Sequence, residues 1–257
     1  MNFLSAAPVM LGLSCLPVQT ALADSDAEAP FVSGTLSFVA DTHFISYGQD
    51  VWGAGNEWND VLFHPSLELT FDLGRGFKGI LGTWWDVNDN AATSIGRKDV
   101  QEIDVWVGLG YEVQNFTFTL LYQEWMYGGQ NERIVDFKVG YAHWLNPSLT
   151  LHARVDDELP FDTGLVTVLG VAPSKEFGIV TVSVPVNVSF DTDNYHGGDA
   201  GFGFVSIGVS AGVPLTFVKG NWSLNAGITY YHTNDKVIPV NPDEDFVTGS
   251  LGVSLAF

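Results

Sequence analysis

An all-β fold, a transmembrane antiparallel up-and-down β-barrel of about twelve strands, is what three features of this sequence predict. Apolar and polar residues alternate with period 2 over most of the chain. The connections between the alternating runs are short and long by turns. Past the amino terminus no stretch approaches the roughly 18–20 consecutive apolar residues of a membrane helix, so an apolar chain that spans a bilayer has only the closed barrel left to it.

Composition points the same way. Hydrophobic residues make up 46% of the chain and charged residues only 16%, where soluble domains carry about a quarter charged. The net charge of −20 excludes nucleic acid as a partner, because phosphate binding needs a basic surface. The negative field favours cations and other small solutes that tolerate it. The single cysteine, Cys15, excludes a disulfide framework.

The first residues read as a leader. Residues 1–23 have an apolar centre and end in Ala21-Leu22-Ala23, a small-x-small cleavage site, so a signal peptide is expected over 1–23 and a barrel over 24–257. The n-region lacks the usual Lys or Arg, and Gly12-Leu13-Ser14 before Cys15 lacks the leucine of a lipidation site.

Strands are predicted near 33–46, 60–73, 77–87, 100–113, 116–127, 133–145, 149–157, 165–173, 177–190, 201–213, 221–232 and 246–257. In the second, Phe63, Leu67, Leu69 and Phe71 alternate with His64, Ser66, Glu68 and Thr70. In the fourth, Ile103, Val105, Val107 and Leu109 alternate with Asp104, Trp106 and two glycines, a set that no helix of 3.6 residues per turn gathers on one side. Phe116, Phe118, Leu120 and Tyr122 carry the fifth, and Val135, Phe137, Val139 and Tyr141 the sixth. Val180 to Val188 and Trp222 to Tyr230 repeat the pattern late in the chain. An even count leaves both termini on the periplasmic side.

Leu73 to Gly76, Val113 to Phe116 and Asn146 to Ser148 read as tight turns, with Pro173 to Phe177 and Pro214 to Gly220 slightly longer. The other set, near 47–59, 88–99, 128–132, 158–164, 191–200 and 233–245, is mostly longer and acidic, which predicts an acidic outer rim carrying Asp89, Asp162, Asp191, Asp193, Asp199, Asp235, Asp243, Glu244 and Asp245. Aromatics gather at strand ends, as two interfacial girdles require.

The last eight residues are Ser250-Leu251-Gly252-Val253-Ser254-Leu255-Ala256-Phe257. They resemble the carboxy-terminal signal of outer-membrane barrels, with Ser250, Gly252, Leu255 and Phe257 in the expected slots. The resemblance implies recognition by the barrel-assembly machinery and residence in the outer membrane of a Gram-negative bacterium. Gly82-Thr83-Trp84-Trp85-Asp86-Val87-Asn88 and the run Leu149 to Asp156 are similar to the small porins of the TorF-like kind. That resemblance implies a channel without naming its solute.

By register, the residues facing the lumen include Glu68, Glu102, Asp104, Asp136, Lys138, His152, Arg154 and Asp156, which are the predicted pore-lining set. The expectation is a monomeric channel for passive diffusion of small polar or cationic solutes, in contact with outer-membrane lipids. The opposing reading pairs Lys138 and Arg154 with carboxylates inside a packed, non-conducting structural or adhesive barrel, and inward Trp84, Trp106, Trp125 and Tyr231 favour it. A lipid-modifying enzyme is the other alternative. His152, Arg154 and Asp156 spread over roughly 13 Å along one strand and so form no triad by themselves. No catalytic residue, metal or cofactor is expected. Asp191-Thr192-Asp193-Asn194 has His196 and Phe202 where a calcium loop needs Gly and Glu.

Overall fold

The computed structural model describes residues 30–53, 58, 60–90, 95, 99–156 and 163–257. The leader expected over 1–23 and the rim residue Asp162 lie outside the described residues. Twelve strands close into an antiparallel barrel with no helix among the described residues. They are β1 (Val32–Asp41), β2 (Leu62–Gly74), β3 (Phe77–Val87), β4 (Val100–Val113), β5 (Phe116–Met126), β6 (Asn131–Tyr141), β7 (Ser148–Arg154), β8 (Gly164–Val171, resumed at Ser174–Phe177), β9 (Val180–Ser183 and Val186–Asp191), β10 (Gly201–Pro214), β11 (Asn221–Thr233) and β12 (Asp245–Ala256).

Each strand pairs with the next in sequence, and β12 pairs with β1. Closure removes the free edges that would otherwise expose unpaired backbone groups. The seam runs to the last residue, where Phe257 N donates to Gly34 O at 3.0 Å and Gly34 N donates to Phe257 O at 2.8 Å.

The period-2 pattern sorts the side chains as predicted. Val107, Leu109, Leu120, Val209, Ile228 and Leu251 point outward and are exposed, while their neighbours Trp106, Leu121, Gly208 and Gly252 face inward and are buried. An exposed aliphatic belt of this kind is unfavourable in water by about 1.5–3 kcal/mol per large side chain, and a bilayer removes that cost. Phe63, Trp85, Tyr122, Phe190 and Tyr230 sit outward near one end, and Phe77, Phe116, Phe177 and Phe257 near the other.

Four predicted boundaries move, and one of them is the end of the seventh strand, at Arg154 rather than 157. The first strand ends at Asp41 rather than 46, because the chain then turns into the barrel. The sixth ends at Tyr141, since Ala142 to Asn146 form the turn. Pro173 to Phe177, expected as a turn, is mostly strand: Ser174–Phe177 pairs with Val180–Ser183, and the reversal comes at Gly178, whose φ is 64°. Pro173 and Pro185 have no N–H to offer the ladder, so each interrupts its strand without ending it.

Candidate functional site

The outer half of the barrel interior is filled by the chain that leaves β1. Ile45–Ser46 and Gln49–Asp50 form a minimal hairpin around Tyr47 (φ 49°) and Gly48 (φ 93°). Both central residues take positive φ, the geometry that suits a two-residue hairpin turn. Gly48 is needed twice over, since a Cβ there would also lie 2.4 Å from the Phe204 ring. The tip reaches the far wall: the Tyr47 ring stacks on His152 with centroids 3.5 Å apart, and its hydroxyl donates to Asp136 Oδ2 at 3.3 Å. Trp52 Nε1 donates to Asp86 Oδ2 at 2.8 Å, and Phe44 packs on Trp84 at 4.9 Å.

Two apolar clusters form around this segment. Tyr47 joins Trp125, Ile134, Val166, Val168, Tyr195 and Phe204, while Phe44 joins Leu62, Ile80, Trp84, Trp106 and Leu121. The loop between β11 and β12 adds Val237 and Ile238, both buried. This half of the barrel therefore has a core of the kind found in soluble proteins, built from inward-facing residues.

The predicted pore-lining residues occupy this interior, and most are paired there. Asp136 gathers three partners: His152 Nδ1 lies 2.6 Å from Oδ1, and Lys138 Nζ at 3.1 Å and the Tyr47 hydroxyl approach Oδ2. His152 lies directly across from it on β7, and Lys138 two residues along β6. Arg154 Nε donates to Glu132 Oε2 at 2.5 Å and Arg154 to the Tyr195 carbonyl at 2.8 Å, with its guanidinium 4.2 Å from the centre of the Tyr195 ring. Glu68 accepts from Trp106 Nε1 at 3.2 Å. Glu102 and Asp104 are buried side by side near Asp86 and Glu132, and Asp104 Oδ1 has no hydrogen-bond partner among the described residues. Asp156 differs from the set: it lies beyond the end of β7 and pairs with Arg133, a residue of the outward face, so it belongs to the rim and not to the interior. His152, Arg154 and Asp156 take their partners from other strands and do not bond one another.

Several interior residues carry as much of this geometry without having stood out in the sequence. His64 bridges Asp41 at 2.7 Å and Asp86 at 3.1 Å, and His196 Nδ1 bonds Asp191 Oδ2 at 2.9 Å. Asn241 binds the hairpin backbone from above. The one local signal was the apolar pair Phe44 and Tyr47 beside a glycine in a stretch otherwise read as strand end and loop. Asp191, expected at the acidic rim, is instead buried, held by His196 and by Ser189, whose hydroxyl donates to it at 3.1 Å. No grouping of His, Cys, Asp or Glu suited to a metal occurs among the described residues.

Burial also tunes the loop groups. It pushes the Tyr195 hydroxyl well above the usual phenol range, with Arg154 opposing. Tyr127 is pushed up by burial first and then by the carboxylates of Glu102, Glu132 and Asp104. His43 is held below the ordinary imidazole value by burial alone.

No protein-family model matches this chain, and neither does any curated protein. Among solved structures, one from work on the in-meso crystallization of membrane proteins aligns over 88% of this chain and 84% of its own, at 10% identity and a TM-score of 0.50. The NanC porin aligns over 87% and 98% at 8% identity and a TM-score of 0.49. Outer membrane phospholipase A from Escherichia coli aligns over 86% and 89% at 12% identity and a TM-score of 0.47. Identities this low speak to fold alone, and the first likeness agrees with the architecture above. The chain is a twelve-stranded, antiparallel, closed β-barrel with an exposed apolar outer face and an inner face that holds both buried charges and two apolar clusters.

Proposed function

We propose that this chain is an outer-membrane channel of the small, TorF-like porin kind, through which small polar or cationic solutes diffuse passively. The observation that carries this reading is the two-faced wall: an exposed apolar outer belt around an inner surface where Ser, Thr, Asn, Gly and paired charges stand beside two apolar clusters. In this reading the segment 42–53 constricts the outer half, and Ser250, Gly252, Leu255 and Phe257 serve assembly. Acid–base catalysis is disfavoured, because His152 is fully buried between Tyr47 and Trp125 and bonded to Asp136, with no route for a substrate proton to reach it.

Recording in planar bilayers tests the proposal. Stepwise currents are expected, and no conductance at any voltage would refute it. The packed clusters around Trp84 and Trp125 favour a second reading, a sealed structural barrel, for which that null result is the expected one.

A further inference from the structure

Bulk and charge are unevenly shared around the interior. From β2 to β7 the inward residues include Trp84, Trp106 and Trp125 and the paired ions described above. On β10, β11 and β12 the inward rows below the aromatic top are of another kind. Ser210, Gly227 and Ser250 face one another across the three strands, and the next row is Gly212, Asn225 and Gly252. These rows carry neither a charge nor an aromatic ring. Glycine and serine put less side-chain bulk on this wall than tryptophan puts on the opposite one, although Ser210, Gly212, Asn225 and Gly252 are themselves buried.

Within this wall Asn225 is poised as an acceptor. Its Nδ2 is satisfied by Ser223 Oγ at 3.1 Å and Ser254 Oγ at 3.4 Å, while its Oδ1 has no hydrogen-bond partner among the described residues, although the side chain is buried. A buried carbonyl of this kind is costly unless something donates to it.

Resting on the channel reading above, we infer that solutes pass along the β10–β12 wall and that this lane selects uncharged, hydroxyl-rich molecules over ions. Serine hydroxyls and the asparagine amide both donate and accept, so they can replace the hydration of a polyol bond for bond. They offer no net charge to replace the hydration of an ion. Of the carboxylates on the opposite wall, Asp136 and Glu132 are paired with Lys138 and Arg154, and Asp86, Glu102 and Asp104 are buried within that wall. The acidic rim concentrates cations at the mouth only, and salt screens it.

The test compares solutes of one size and three charges, glucose, glucosamine and gluconate, by liposome swelling, together with reversal potentials in potassium chloride gradients near 1 M, where the rim is screened beyond about 3 Å. Wild type should admit glucose at least as fast as glucosamine, with a potassium-to-chloride permeability ratio within about threefold of unity. Ser250→Asp, or Ser210→Asp if the first fails to assemble, should shift that ratio several-fold toward potassium, whereas Glu102→Gln should leave it unchanged. A strong cation preference in wild type that collapses in Glu102→Gln and ignores both serine variants would overturn the lane and leave the channel standing. No swelling and no current from wild type would overturn the channel reading and the lane with it.

Discussion

Asn241 clasps the inward hairpin at Gly48: its Nδ2 donates to the Gly48 carbonyl at 2.9 Å, while its Oδ1 accepts from the Asp50 amide at 2.8 Å. A side-chain amide thus imitates one rung of strand pairing and ties the segment after β1 to the loop before β12. Replacing it with alanine leaves a backbone donor and acceptor unsatisfied, at about 1–3 kcal/mol. Asn241→Ala should therefore raise the conductance or the open fraction in single-channel recordings. Currents identical to wild type would show that the clasp does not control the constriction.

Tyr47 is the deepest part of the same segment. Tyr47→Ala removes the ring stacked on His152 and the bond to Asp136, a loss of about 3–5 kcal/mol by analogy with other buried aromatic truncations. The barrel wall does not depend on it, so heat-modifiable mobility on gels should persist while the hairpin becomes open to limited proteolysis. A hairpin as protease-resistant as in wild type would contradict this packing.

Asp136 pairs with Lys138 and bonds the His152 ring in the interior. Asp136→Asn removes the charge facing Lys138 and His152 and should cost about 3–5 kcal/mol, as for other broken buried pairs. Chemical denaturation of the refolded barrel measures it. Asp156→Asn, whose partner Arg133 is at the rim, should change the same midpoint by less than about 1 kcal/mol. Equal effects would mean that burial does not distinguish the two sites.

His43 lies in the segment entering the barrel, stacked near Phe246 at 6.2 Å with Asp50 at 3.9 Å. Burial lowers its pKa in the folded state, so the folded protein prefers the neutral ring. That contribution is complete above the unfolded value of about 6.5 and is lost as pH falls through the lower folded value. Closure of the segment should weaken on acidification below pH about 6, read as rising open fraction or proteolysis, and His43→Phe should reduce that dependence. A wild-type response unchanged in His43→Phe would assign the effect to another group.

Phe257 is exposed, yet its backbone is bonded to Gly34 in the closing seam. Phe257→Ser keeps those backbone bonds and should leave the midpoint of detergent-refolded protein nearly unchanged. If the terminal residues are read by the assembly machinery, the same change should lower the amount inserted in the outer membrane several-fold on cell fractionation. Parallel losses in both measurements would mean that Phe257 acts on stability alone.

Much of this architecture was legible in order along the chain. Alternation such as Ile103 to Leu109 commits a strand to one apolar face, and a one-residue slip would turn that face inward, so register is strongly specified. Boundaries failed where a local signal had two outcomes. Proline at 173 and 185 was read as strand or turn, and the structure makes each an interruption between paired segments. The site was less legible. Parity placed Glu68, Glu102, Asp104, Asp136, Lys138, His152 and Arg154 on the inner face, but parity says nothing about what crosses to meet them.

The sequence by itself determined the closed barrel, its even strand count and the identity of its inner and outer faces, because period-2 patterning and backbone hydrogen bonding act locally and between neighbours. Only the tertiary structure decided that the segment after Asp41 turns inward, that Asp41, His64 and Asp86 form one bonded chain, and that the interior divides into a charged, aromatic side and a side of serine, glycine and asparagine. Those contacts join residues as far apart as Gly48 and Asn241. They depend on the shape of the closed lumen, which exists only after every strand has found its neighbour.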